Sequence, residues 1–311
     1  MDASAVPAVT PISCLIVGCG YVGTRLARHE GGRRPLLAIV RSGPSETTLQ
    51  QATGVLTLRL DLDAPDRLLP QPTLAEAARN AGIVYLVPPP RDGTTDPRLE
   101  AFLKDIGDAT PAVFLYVSTT GVYGDAAGAL VDETTPLDPA SDRARRRVAA
   151  ESAVSGWCSS RGARWVVLRV PGIYGPHRLP LERLQRREPA LRTSDAGPGN
   201  RIHVDDLVSV IVAAIDRSTA LGVYNVGDGD HSSTTAYLQA TAEATGLPAP
   251  ELVSKSEAAS HISPGLRAFL DESRRVSNRR MLEDLDVRLR YPRMQMGILA
   301  SLAEMRMEEG T

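Results

Sequence analysis

Ile12-Ser13-Cys14-Leu15-Ile16-Val17-Gly18-Cys19-Gly20-Tyr21-Val22-Gly23 begins as an apolar run and ends as a glycine string of the form GxGxxG. The run Ile12–Val17 is short and apolar, which suits a strand buried on both faces. A helical pattern starts at Tyr21 and continues to His29. A glycine string alone means little, but between a strand and a helix it has a backbone chemistry. Gly18 permits a tight turn, Gly20 lets the chain approach a pyrophosphate, and Gly23 lets helix and strand pack closely. A diphosphate would rest on unpaired N–H groups at the positive helix end, where Tyr21 and Val22 form the first turn.

Working outward, similar apolar runs recur at Leu36–Val40, Leu56–Leu60, Ile83–Val87, Val113–Val117 and Trp165–Val170. Helical patterns fall between them near 21–29, 73–80, 96–108 and 142–160. This alternation predicts βαβ units and a Rossmann-type, doubly wound parallel sheet with helices on both faces. A further helix is expected over 205–216, where Leu207, Val208, Ile211, Val212 and Ile215 share a face. Val223–Val226 reads as one more strand, and no repeat at solenoid spacing is visible. Past residue 175 the texture turns to Pro, Arg and Gly over 176–200, then to short helical patterns over 246–311. The expected division is a dinucleotide-binding domain over 1–175 and a small carboxyl-side substrate lobe over 176–311, with 201–227 returning to the sheet.

Composition narrows the function. Thirty-five Lys plus Arg against 37 Asp plus Glu give a net charge of −2 over 311 residues, which argues against nucleic-acid binding. An aromatic content of 4% gives no base-stacking surface. Cys14, Cys19 and Cys158 are too few and too scattered for a disulfide framework, and no His/Cys/Asp cluster has metal spacing. Residues 1–11 lack the basic and long apolar regions of a signal peptide, and Ile12–Val17 is too short to span a bilayer. A cytoplasmic protein without metal, nucleic acid or membrane partner is the expectation. Cys19 is either a thiol activated by the nearby helix end or a small side chain filling the turn.

The end of the second strand bears on the type of dinucleotide. NAD binders usually place an acid there to hold the ribose 2′-hydroxyl. Here the residues are Val40-Arg41-Ser42, and the nearest acid downstream is Glu46. A guanidinium and a hydroxyl suit a 2′-phosphate, so NADP is expected rather than NAD.

Three further stretches join the glycine loop: Ser118-Thr119-Thr120-Gly121-Val122-Tyr123-Gly124, Arg169-Val170-Pro171-Gly172-Ile173-Tyr174-Gly175-Pro176 and Arg201-Ile202-His203-Val204-Asp205-Asp206-Leu207. With Asn225 in Val223-Tyr224-Asn225-Val226-Gly227, they cover about residues 12–230 in order. The set resembles the extended, epimerase/dehydratase-like branch of the short-chain dehydrogenase/reductase superfamily. The resemblance implies that Asp61-Leu62 contacts adenine, that Val87 and Pro88 line the nicotinamide ribose, and that Pro171 adjoins the cofactor. It also places the family's catalytic Ser/Thr on Thr119, which would polarise the substrate oxygen.

In that family a Tyr passes the proton, and a Lys four residues on lowers its pKa and holds the nicotinamide ribose. Counting back four and eight residues from Glu151, in Val148-Ala149-Ala150-Glu151, gives Arg147 at the Lys position and Arg143 at the Tyr position. The pair is missing, and the chain resembles an atypical member. Arg143 stays protonated and cannot cycle a proton, whereas Arg147 can still hold a ribose or phosphate. Residues 143, 147 and 151 share a helix face, with Arg145 and Arg146 alongside. That helix either presents cations to the active site or is a solvated surface, and it is also a candidate for a homodimer contact. Replacement proton carriers are Tyr123, Tyr174, Thr119, Thr120 and His203, each with a structural alternative.

On the substrate side, Arg178 and Arg201 suggest an anionic ligand. Nucleotide-sugar members commonly carry a phosphate-binding Arg four residues before the equivalent of His203, where this chain has Gly199. A diphosphate-sugar substrate is therefore not expected. Gly197–Gly199 is expected to close over a ligand, and the basic stretch 265–281 to cover it. Two functions remain open: an NADP-dependent oxidoreductase or epimerase acting on a small polar, anionic substrate, and a non-catalytic NADP(H)-binding sensor or interaction protein.

Overall fold

The computed structural model describes residues 11–64, 73–258 and 273–310. Strands and helices alternate as β1 (Cys14–Val17), α1 (Tyr21–Glu30), β2 (Leu36–Val40), α2 (Gly43–Thr53), β3 (Leu56–Arg59), α3 (Thr73–Ala78), β4 (Gly82–Tyr85), α4 (Pro97–Ile106) and β5 (Val113–Thr119). A short 3-10 turn, Thr120–Tyr123, leads to β6 (Leu130–Val131), α5 (Asp142–Ser159), β7 (Arg164–Val170), β8 (Gly172–Tyr174) and α6 (Leu181–Gln185). Then follow β9 (Ala190–Leu191), β10 (Arg201–His203), α7 (Val204–Asp216), β11 (Gly222–Asn225), α8 (Thr234–Thr245) and β12 (Leu252–Val253). Lys255–Ala258, Arg279–Leu285 and Met294–Glu309 are helical, and β13 is Arg275–Val276.

The central sheet has seven strands among the described residues, in the order β11-β7-β5-β4-β1-β2-β3. β1 pairs in parallel with β2 and β4, β2 with β3, and β4 with β5. This is the Rossmann-type, doubly wound order, with the reversal at β1 and β4. β11, from segment 201–227, stands at one end of it. The apolar runs became strands because both of their faces are covered. Cys14, Leu15, Ile16 and Val17 are all fully buried. Each large apolar side chain so buried contributes about 1.5–3 kcal/mol.

The chain divides into two compact units, the first comprising 1–91, 95–116 and 150–166, the second 92–94, 117–149 and 167–311. The division falls within β5, α5 and β7. In the first unit several aromatic residues cluster. Tyr85 lies within ring contact of Phe102, Phe114 and Tyr116, and Phe114 meets Trp157 edge-on at 6.2 Å. Helix starts carry their own signals: Asp96 accepts from the Leu99 N–H ahead of Pro97, and Ser42 accepts from Ser45 ahead of Pro44.

In the second unit three small parallel pairs, β8 with β10, β9 with β12 and β6 with β13, stand apart from the main sheet. The final helix packs Ile298 and Leu302 against Tyr174 and Leu179. Of the basic stretch 265–281, residues 265–272 lie outside the described residues; Arg275 pairs opposite Leu130. Gly197–Gly199 is packed: a Cβ on Gly199 would come 2.6 Å from the Ser232 carbonyl. Among the described residues no helix is long and apolar enough to cross a membrane.

Candidate active site

The glycine loop joins β1 to α1. Gly18 has φ +95°, a conformation that side chains resist, and a Cβ there would come 2.8 Å from Val87 Cγ2 and 3.1 Å from the Val87 nitrogen. A Cβ on Gly23 would lie 2.5 Å from the Gly18 carbonyl oxygen. Nothing lies within 4 Å of a Cβ on Gly20. The turn is thus closed on its inner side and open at Gly20, which is the form a dinucleotide phosphate needs. No side chain caps α1, and its first turn holds no acid to compete with an anion. Tyr21 and Val22, half-buried, form that first turn. Burial pushes the Cys19 thiol up to about 12, so Cys19 fills the turn and is not an activated thiol.

The adjoining strand ends in the same unit are tied together by a residue that the sequence reading did not single out. Arg98 donates to both Asp63 oxygens at 2.6 Å and to the Pro88 carbonyl at 2.9 Å. It thereby joins the turn after β3, where Asp61 and half-buried Leu62 sit, to the segment of Val87 and Pro88 after β4. The same fork holds the Asp63 carboxyl below the usual range. Arg41 is largely exposed and only 3.9 Å from Asp63. Ser42 caps α2, and Arg59 Nη1 comes within 3.4 Å of a Cβ position on neighbouring Gly43. The sequence signal for Arg98 was its place in α4 beside the Asp96 cap; its reach to residue 63 was not readable.

In the second unit, Thr119 ends β5 and starts the 3-10 turn. Its Oγ1 accepts the Gly121 N–H at 3.2 Å, which leaves its own O–H proton for another acceptor. Thr120 is buried. Tyr123 is buried too and fully engaged: its hydroxyl donates to Asn225 Oδ1 and accepts from Arg169 Nη1, both at 2.8 Å. Arg169 also lies over its ring. Burial raises the Tyr123 hydroxyl pKa, with Arg169 opposing. Tyr123 thus pins Asn225 and Arg169 together.

Along α5 the buried residues are Ala144, Arg146, Ala150, Glu151, Val154 and Cys158. Arg143 is exposed, and Arg147 is half-buried with Nη1 donating to the Val117 carbonyl at 2.9 Å. Arg143 and Arg147 thus do not meet the same surroundings, although they share a sequence spacing. Pro171 is half-buried between β7 and β8.

The expected substrate residues separate. Arg178 is exposed. Arg201 is only 6% exposed and donates to the Ser232 carbonyl at 2.8 Å and the Ser233 carbonyl at 3.4 Å, with Tyr237 under its guanidinium. It holds the segment that leads into α8. His203 is buried; Nδ1 accepts the Asp205 N–H and Nε2 meets Ser301 Oγ. It caps α7, the structural role that a histidine at this helix start also offers from sequence. Tyr174 is wedged between His203, Tyr237 and Gly297, its hydroxyl without a hydrogen bond and its pKa raised well above the ordinary value by burial.

Asp228 lies behind Arg201. Its Oδ1 accepts the Asp230 N–H, Oδ2 has no partner, and burial pushes the carboxyl from 3.8 up to about 7 against the pull of Arg201. Because the folded pKa is the higher one, the native state holds the extra proton between these values, and stability falls as pH rises through that window. Asp228→Asn is expected to flatten the slope of urea midpoint against pH from about 4 to about 7. An unchanged slope would place the titrating group elsewhere.

The model of the NAD dependent epimerase/dehydratase family matches residues 98–227. Protein YeeZ of Escherichia coli strain K12 is 24% identical over 243 residues, 76% of this chain and 85% of that protein. A functionally unknown conserved protein from Silicibacter pomeroyi DSS has a solved structure 32% identical, with TM-score 0.80 over 94% of this chain and 98% of that one. UDP-glucuronic acid 4-epimerase from Bacillus cereus, solved with NAD, shares the fold at 15% identity, TM-score 0.73, over 96% of this chain and 98% of that one.

Proposed function

The chain belongs to the NAD-dependent epimerase/dehydratase family of the extended short-chain dehydrogenase/reductase superfamily, and we propose that it works as an NADP-dependent oxidoreductase or epimerase/dehydratase-like enzyme. Its substrate on this reading is small, polar and anionic. The observation that carries the proposal is the loop of Gly18, Gly20 and Gly23, closed against backbone at two positions and open at the third. A bound nicotinamide would supply hydride exchange. Thr119 would orient the substrate oxygen through the O–H proton its own turn leaves unused. Arg147 would hold a ribose or phosphate oxygen as the family lysine does. Exposed Arg143 and Arg178 would supply positive charge toward an anion. NADP over NAD is supported by Arg41 and by Arg59 beside the Ser42–Gly43 turn, with no acid at the end of β2.

The test follows NADPH absorbance against a panel of small aldehydes, ketones and sugar acids. With a substrate found, Thr119→Ala should lower kcat about 10- to 100-fold and move KM less, the loss of one hydrogen bond to a charged oxygen. An unchanged kcat would remove Thr119 from the reaction. One observation favours the second reading, a non-catalytic NADP(H)-binding sensor or interaction protein: Tyr123 and His203 are spent on structural bonds, and an arginine stands at the family tyrosine position. Cofactor binding with no turnover across the panel would select it.

A further inference from the structure

We infer that Arg146 is the anion-holding side chain of this protein, pairing with a carboxylate or phosphate oxygen of the substrate; the identity of that ligand rests on the enzymatic reading above. Arg146 lies on the buried stripe of α5 with Ala150, Val154 and Cys158, where helical spacing calls for an apolar residue. It is only 6% exposed. Nη1 donates to the Gly93 carbonyl at 2.6 Å, and Nε is buried without a partner. No described carboxylate pairs with it, in contrast to neighbouring Arg145, which has Asp142 at 2.6 Å. A buried charge without a counter-charge is costly, and an apolar side chain of similar volume would be tolerated at least as well.

A carbonyl orients a guanidinium but does not neutralise it. Arg146 is fixed in this way by the Gly93 carbonyl, within the second unit. The fork keeps donors beyond the one used at Gly93, and an oxyanion satisfies both the charge and those donors. Gly93, at φ +80°, belongs to the exposed segment 92–94, so the residue gripped by Arg146 faces solvent even though the guanidinium does not. Arg201, by comparison, has two carbonyls, a methionine sulfur and a tyrosine ring, and its charge also interacts with the carboxyls of Asp228 and Asp230.

The experiment titrates inorganic phosphate and, separately, malonate into protein already saturated with NADPH, so that the glycine loop is filled. Wild type, Arg146→Lys and Arg146→Met are compared. Arg146→Lys should bind the preferred anion about tenfold more weakly, and Arg146→Met should show no saturable binding, while NADPH affinity stays within about twofold. Arg146→Met should melt at or above the wild-type temperature, because an uncompensated charge has been removed. The relative strength of phosphate and malonate assigns the oxyanion. Equal anion binding in all three proteins would overturn the inference. So would anion binding absent from the wild type, or Arg146→Met and Arg146→Lys both melting well below it, which would make the Gly93 bond a structural clasp. NADPH affinity falling in step with phosphate would assign the charge to the cofactor instead. Intact anion binding with no turnover against any substrate would sink the enzymatic reading alone.

Discussion

Gly20→Val leaves the fold intact and weakens dinucleotide binding at least 100-fold, about 2.7 kcal/mol. The fold is spared because Gly20 has φ −83° with extended ψ, which any residue adopts, and nothing lies within 4 Å of its Cβ position. Binding is lost because that open space is where the phosphates would approach the loop, and a branched side chain fills it. Gly23→Ala provides the contrast. Its Cβ would stand 2.5 Å from the Gly18 carbonyl oxygen, so it damages the turn itself. Thermal melts and NADPH titrations of the two variants separate the roles. A Gly20→Val protein that melts normally and still binds NADPH like the wild type would show that the loop is only a turn.

Tyr123→Phe costs roughly 3 kcal/mol of stability. The hydroxyl serves two partners, so its removal strands the Asn225 oxygen and one arm of the Arg169 guanidinium in a buried setting. Asn225 is fully buried and its Nδ2 already lacks a partner, so it has no alternative bond nearby. Its backbone N–H donates to Glu133, which ties the loop before α5 to the same knot. Urea denaturation should move accordingly while NADPH affinity holds. A stable Tyr123→Phe protein with an altered pH–rate profile would instead make Tyr123 a proton carrier.

The fold was legible because its signals are local. Apolar runs of strand length, Asp96 and Ser42 ahead of prolines, and the glycines between β1 and α1 each act within a few residues. The roles of the arginines were not legible, because they depend on partners distant in the chain. Arg201 finds Ser232, and Arg98 finds Asp63. On α5 the spacing of 143, 147 and 151 suggested one functional face, yet the helix turns Arg146 inward with the apolar stripe. For His203 the helix-start role was open from sequence beside acid–base work, whereas its contact with Ser301, 98 residues away, was not legible. Low aromatic content likewise concealed how far Tyr85, Phe102, Phe114, Tyr116 and Trp157 gather in one unit.

On the proposed function, this chain holds a nicotinamide dinucleotide and distinguishes the 2′-phosphate. Isothermal titration of the wild-type protein with NADPH and with NADH, alongside Arg41→Asp, tests it most directly. The account predicts one saturable site that takes NADPH at least about tenfold more tightly than NADH, a difference of about 1.4 kcal/mol that Arg41→Asp abolishes. Binding of neither nucleotide would contradict the claim, and equal affinity for both would contradict the role given to Arg41.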